Sequence, residues 1–246
     1  MDAQTIILII SFFLIALVYS SVGFGGGSSY LALLAVMGTS YDLLRPTALL
    51  CNIVVVTGGT FLFVREKQLS FRTAWPFVVA SIPAAFLGGL WRIQENTFFI
   101  VLGFTLVVAS IFLWIKPHES KKVQSTNILL NTSLGGGIGF LSGLVSIGGG
   151  IFLSPLLHLM SWGEAKKIAA LASFFILVNS ISGLAGQLAA SISLDWKFIL
   201  PLLTAVLAGG QIGSRLAVRY FNATYIKRIT ALLILVAGIN ILKDHL

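Results

Sequence analysis

Charge is what this sequence has least of. Only 10% of its 246 residues are Asp, Glu, Lys or Arg, where a soluble domain carries roughly 25%. With 57% hydrophobic residues, the scarcity excludes an ordinary water-exposed surface and leaves an integral membrane protein. Cysteine is nearly absent as well. The single Cys51 falls in an apolar run, which excludes an intrachain disulfide framework and argues against a Cys/His metal centre. The eight acidic residues, Asp2, Asp42, Glu66, Glu95, Glu119, Glu164, Asp195 and Asp244, all sit in predicted loops or at ends. Cation carriers and proton relays commonly place carboxylates inside spans. A cation would here have to rely on carbonyls and hydroxyls, whereas an anion needs only donors. There is no G-x-x-x-x-G-K-[ST] phosphate loop, so ATP would have to act through another chain. The first residues, MDAQTIILIISFFLIALVYS, lack the basic start of a cleaved leader and read as a retained helix. No cofactor is expected.

What the sequence does have is a succession of apolar runs of about 20 residues, enough to cross a hydrocarbon core ~30 Å thick. They are continuous rather than alternating, which predicts helices and not a barrel. The net charge of +8 sits in short loops between these runs, a topological pattern rather than a nucleic-acid surface.

The runs repeat. SSVGFGGGSSYLALLAVMGTSYDLLRPTALLCNIVVVTGG from Ser20 resembles SGLVSIGGGIFLSPLLHLMSWGEAKKIAALASFFILVNSISG from Ser142. Gly25, Gly26 and Gly27 align with Gly148, Gly149 and Gly150, which sets Arg45 near Lys167 and Cys51 near Ser173. Further on, SFRTAWPFVVASIPAAFLGG matches DWKFILPLLTAVLAGG once a gap of about one helical turn is allowed. The polar stretch KPHESKKVQS separates the halves, giving an N-terminal repeat 1–115, a linker 116–126 and a C-terminal repeat 127–246. Each half reads as a glycine-interrupted segment followed by three spans: 5–37, 43–64, 72–90 and 97–115, then 127–160, 165–187, 196–213 and 226–242.

The basic residues discriminate between two paths for the interrupted segments. If each crosses once, the loops on the two sides share Lys and Arg evenly. If each enters and returns, one side keeps only Arg45, Arg92, Lys197 and Lys243. The strong bias favours re-entrant hairpins, with the linker cytoplasmic and both termini outside. Each half then makes an odd number of crossings. The predicted fold is an all-α membrane protein of two inverted-topology repeats, each a glycine-broken re-entrant hairpin plus three transmembrane helices, with its site where the breaks meet.

A helix that starts at the triple glycine leaves its first N–H groups without intrahelical partners and presents a partial positive charge. Glycine lets an anion approach that backbone closely. The candidate substrate-binding residues are therefore Gly25, Gly26, Gly27, Gly148, Gly149 and Gly150, with Ser28 and Ser29 as added hydroxyl donors. Asn52, Thr57, Ser173 and Asn179 are polar positions at similar depths of equivalent spans and are expected to line the cavity facing the glycines. Arg45 and Lys167 open those spans, either snorkelling to the interface or guiding an anion inward. His158 is expected at the interface. The other glycine pairs, Gly58-Gly59, Gly88-Gly89, Gly209-Gly210 and the run from Gly135, are best explained by close helix packing.

Taken together, VGFGGGSSYLALL, its echo VSIGGGIFLSPLL, AKKIAALASFFILVNSISGLAG and the distal GGQIGSRLAVRYFNATYIKRITALLILVAGINIL resemble the sulfite exporter TauE/SafE family over nearly the whole chain. The resemblance implies transport of sulfite, sulfonates or related sulfur oxyanions across the bacterial inner membrane. It maps the family glycines onto the two triplets, with Ser28 opposite Ile151. The leading expectation is a secondary transporter working by alternating access, with coupling to a proton or Na+ compatible with the sequence. An anion-selective channel and a carrier of another small organic anion are the alternatives. A membrane enzyme would need a nucleophile–base pair or metal cluster that the scattered His and lone Cys do not supply.

Overall fold

The computed structural model describes residues 3–21, 23–114, 127–192, 194–216 and 223–246. The expected linker 116–126, Val22 of the first glycine segment, and Asp2, Glu119 and Arg219 of the charge pattern lie outside the described residues. The first half runs α1 (Ala3–Ser20), α2 (Gly27–Val36), α3 (Tyr41–Arg65), α4 (Phe71–Leu90) and α5 (Glu95–Trp114). The second runs α6 (Ile128–Val145), α7 (Gly150–Leu159), α8 (Ala165–Ala189), α9 (Trp196–Leu216) and α10 (Ala223–His245). The order of lengths repeats: 18, 10 and 25 residues open each half. By length and composition α3, α4, α5, α6, α8 and α9 are able to cross a membrane.

The glycine triplets end one helix and begin a short one that turns back. Gly26 has φ +87° and Gly149 φ +81°, left-handed values that side chains resist and glycine adopts freely. In the first hairpin, Gln4 Nε2 donates to Met37 O at 3.3 Å, Phe12 stacks on Tyr30 at 4.6 Å, and Tyr19 OH meets Ser29 Oγ at 2.5 Å. The start of α1 thus lies beside the end of α2, so the chain returns to the side it left. In the second hairpin Ile138 and Ser142 of α6 pack against Gly149.

The helix pairings are interchangeable between halves. α1 packs on α9 as α6 packs on α4, α3 on α9 as α8 on α4, and α2 on α10 as α7 on α5. Small residues make these contacts close. A Cβ on Gly135 or Gly143 of α6 would run into the backbone carbonyls of Phe77 or Ala85 of α4, and one on Gly139 would meet Ser81 Cα. A Cβ on Gly209 or Gly213 of α9 would strike the carbonyls of Phe13 or Leu17 of α1. Without apolar-versus-water segregation inside a bilayer, such backbone approach is what holds helices together. Gly88 and Gly89 fit the same explanation, against Phe140 and Gly183. Gly137, with no atom within 4 Å of an added Cβ, does not.

α3 runs antiparallel to α8, and α5 to α10. Thr60, near the end of α3, hydrogen-bonds Ser173, near the start of α8, at 3.1 Å, while Leu49 faces Gly183 near the end of α8. Likewise Phe99, near the start of α5, stacks on His245 at the end of α10 with centroids 4.4 Å apart.

Candidate functional site

Both glycine breaks meet one side chain. Asn52, fully buried on α3, has its amide against Gly25 and Gly27 of the first break and against Gly148 of the second. Its Nδ2 donates to Ile147 O at 3.0 Å, whereas its Oδ1 has no hydrogen-bond partner. A methyl on Gly27 would lie 2.7 Å from Ile147 O and closer still to the Asn52 amide nitrogen. The two breaks therefore meet at Asn52 in the interior.

Their backbone donors are partly free. In α2 the hydrogen bonding begins with Ser29 and Tyr30 N–H donating to Gly26 O, and in α7 with Phe152 and Leu153 N–H donating to Gly149 O. Helix geometry leaves the N–H groups of Gly27 and Ser28, and of Gly150 and Ile151, without an intrahelical acceptor. All of these residues are buried, where an unsatisfied donor is costly and a matching acceptor is correspondingly favoured.

The other predicted residues divide. Ser28 is buried in the first turn of α2. Ser29 is buried too, but its hydroxyl is engaged by Tyr19. Asn179 is fully buried on α8, donating to Phe175 O at 2.8 Å with its Oδ1 unpartnered. Ser173 is buried in the α3–α8 seam, bonded to Thr60. Thr57 is exposed and its hydroxyl donates to Ile53 O at 2.5 Å, so it is not brought to the breaks.

Arg45 and Lys167 are not counterparts. Lys167 is part-exposed, 3.5 Å from Glu164, and borders a cavity of about 210 Å³ with Lys67, Ser70, Trp162 and Leu171. Arg45 is 0% exposed, so it does not snorkel. Its guanidinium donates to Tyr41 OH at 2.8 Å and Leu144 O at 3.3 Å, and lies 5.1 and 5.6 Å from the Tyr41 and Phe98 ring centroids. His158 is also buried rather than interfacial, because α7 is enclosed by α8 and its neighbours along most of its length.

The glycine contacts fix the register between the halves. Gly25 packs on Asn52 and Val56, and Gly148 packs on Ile176 and Ser180. The counterpart of Asn52 is thus Ile176, that of Val56 is Ser180, and that of Arg45 is Ala169. Sequence alignment placed the pairs two residues away from this, setting Arg45 against Lys167. Ser180, whose buried Oγ lacks a partner beside Gly148, was missed as a site residue. No direct signal for it stood in the sequence, because its counterpart Val56 is apolar.

A family profile described as sulfite exporter TauE/SafE matches residues 8–241. The chain is 37% identical to the probable membrane transporter protein y4hK of Sinorhizobium fredii over 247 residues, covering 98% of this chain and 100% of that one. It is 22% identical to the probable membrane transporter protein YunE of Bacillus subtilis over 260 residues, covering 94% and 95% of the two chains. No solved structure matches it. With its apolar spans, repeated hairpins and a profile match over nearly its full length, the chain belongs to the sulfite exporter TauE/SafE family of membrane transporters.

Proposed function

We propose that the protein is a secondary transporter moving small sulfur-containing oxyanions, such as sulfite or organosulfonates, across the bacterial inner membrane by alternating access. The observation that carries this reading is the convergence of both glycine breaks on Asn52. Two helix N-termini, each equivalent to roughly half a positive charge, then begin beside one buried point. Gly25, Gly26, Gly27, Gly148, Gly149 and Gly150 keep that backbone approachable, while Ser28, Asn52, Asn179 and Ser180 supply side-chain dipoles near it. Polar side chains alone give such a site no fixed sign, because an amide both donates and accepts. The N–H ends of α2 and α7 give it a preference for negative charge.

In this reading the halves, 1–115 and 127–246, are inverted repeats with the linker 116–126 cytoplasmic and both termini extracytoplasmic. In support, α3 runs antiparallel to α8 and α5 to α10. A twofold axis that reverses a spanning helix must lie across it rather than along it. The breaks are closed against each other, and cavities lie at opposite ends of α3. One, of about 430 Å³, is bordered by Tyr41, Asp42 and Arg92; the other, of about 210 Å³, by Lys67 and Lys167. Rocking one hairpin against the other would open the buried point to each cavity in turn.

A thermal-shift panel of sulfite, sulfate, thiosulfate, methanesulfonate, acetate and chloride on the purified protein tests the substrate class. A ligand at about 100 times its Kd adds about 2.7 kcal/mol of stability, or about 5–10 °C in Tm for a chain of this size. Sulfite or methanesulfonate should produce that shift and chloride should not. A panel without any shift would refute the reading.

A further inference from the structure

Under the exchange of halves, each break has a matching environment, yet the two differ in polarity. Gly23 of the first break packs on the Ala169 Cβ and the Phe63 ring. At the matching place in the second break, Ser146 accepts from Gln187 Nε2 at 2.8 Å and the neighbouring Leu144 O accepts from Arg45. Arg45 therefore stands where the other half has Ala169, Gln187 where it has Phe63, and Asn52 where it has Ile176. Three polar side chains from α3 and α8 grip residues 144–147, whereas Ala169 and Phe63, the counterparts of Arg45 and Gln187, pack on Gly23 of the first break.

Among the described residues Arg45 forms no ion pair. Its partners are a phenol and a carbonyl, its Nε is buried with no partner, and Asp42 is instead paired with Arg92 at 2.6 Å. A buried cation without an anion is among the costliest arrangements a protein can hold. Gln187 Oε1 on α8 and Ser142 Oγ on α6, both beside the same break, are also buried and unpartnered. Tyr41 borders the 430 Å³ cavity, and its hydroxyl is bonded to the guanidinium behind it.

We propose that Arg45 is a second anion-binding point, an outer station between the Tyr41-bordered cavity and the glycine breaks, where a small oxyanion replaces the Tyr41 hydroxyl on the guanidinium. This rests on the oxyanion-transport reading above. The planar fork of Arg45 pairs with two oxygens on one centre, so the station takes sulfite or a sulfonate in preference to a halide. The asymmetry makes one face of the transporter charge-selecting and leaves the other break, at Gly23, Ala169 and Phe63, an apolar plug.

Titration calorimetry of the full chain with sodium sulfite and with sodium methanesulfonate tests this, using wild type, Arg45→Gln, Arg45→Lys and Tyr41→Phe. Removing a buried charge partner should weaken binding about 100-fold in Arg45→Gln. Arg45→Lys keeps the charge without the fork and should lose about tenfold. Tyr41→Phe should bind at least as tightly as wild type, since it removes only the competing hydroxyl. A purely structural Arg45–Tyr41 contact would lower Tm in these variants with no change in affinity, and that result overturns the station. If Arg45→Gln does not fold, Arg45→Lys decides, and unchanged affinity overturns it. Wild type that binds neither anion refutes the transport reading itself, whereas wild type that binds both with affinity indifferent to Arg45 refutes the station alone.

Discussion

Gly27→Ala is the smallest change that fills the meeting point of the two breaks. Gly27 does not occupy the left-handed region that Gly26 does, so the added methyl brings no backbone strain. Its Cβ would instead lie 2.7 Å from Ile147 O and overlap the Asn52 amide. Asn52 is held by its bond to Ile147 O and is fully buried, so relief requires moving the second hairpin. Overpacking of this kind costs about 1–3 kcal/mol, or about 2–12 °C in Tm at 2–4 °C per kcal/mol. The methyl also occupies the space an oxyanion needs to reach the α2 N–H groups. Each charge-assisted hydrogen bond lost is worth about 1.5–3 kcal/mol, roughly 10- to 150-fold in affinity. Sulfite titration well below the melting transition separates the two effects, with Gly137→Ala as a control at a position with no atom within 4 Å. A Gly27→Ala protein that binds sulfite as wild type does would refute the helix-end site, whatever its Tm.

Three further outcomes follow from the packing and the topology. Gly143→Leu should prevent α6 from docking on the Ala85 carbonyl of α4, so detergent-extracted protein should lose its monodisperse elution peak, while Gly137→Leu keeps it. Ser173→Ala should leave Thr60 without its cross-helix partner and lower Tm by about 2–4 °C, the worth of about 1 kcal/mol. Reporter tags on the two termini should both give extracytoplasmic signals, and a cytoplasmic C-terminus would contradict the inverted topology.

Much of the architecture was legible because it is written twice. The glycine triplets, recurring with the same spacing to the next long span, marked both hairpins and the five-element order of each half. Glycine pairs such as Gly88-Gly89 and Gly209-Gly210 announced close packing, as their backbone contacts bear out. The register between α3 and α8 was not legible, because the halves have kept the break and changed what surrounds it. Asn52 faces the position of Ile176, and Val56 that of Ser180, so matching polar residue to polar residue slid the alignment by two. Thr57 looked equivalent in depth, yet depth does not specify a helix face, and it lies on the outer one. Arg45 at the start of a span fitted snorkelling. Its burial depends on Tyr41, Phe98 and the Leu144 carbonyl, two of which come from elements distant in sequence.

Counterflow of labelled sulfite into proteoliposomes tests the shared-site transporter most directly, comparing wild type with Gly27→Ala and Gly150→Ala, one variant in each half. An added Cβ on Gly150 meets the Ile176 side chain as one on Gly27 meets Asn52. The expected result is saturable, trans-stimulated uptake by wild type that is lost in both variants, because either filled break closes the common site. Flux that rises linearly with sulfite without counterflow, or uptake that survives when either break is filled, would contradict it.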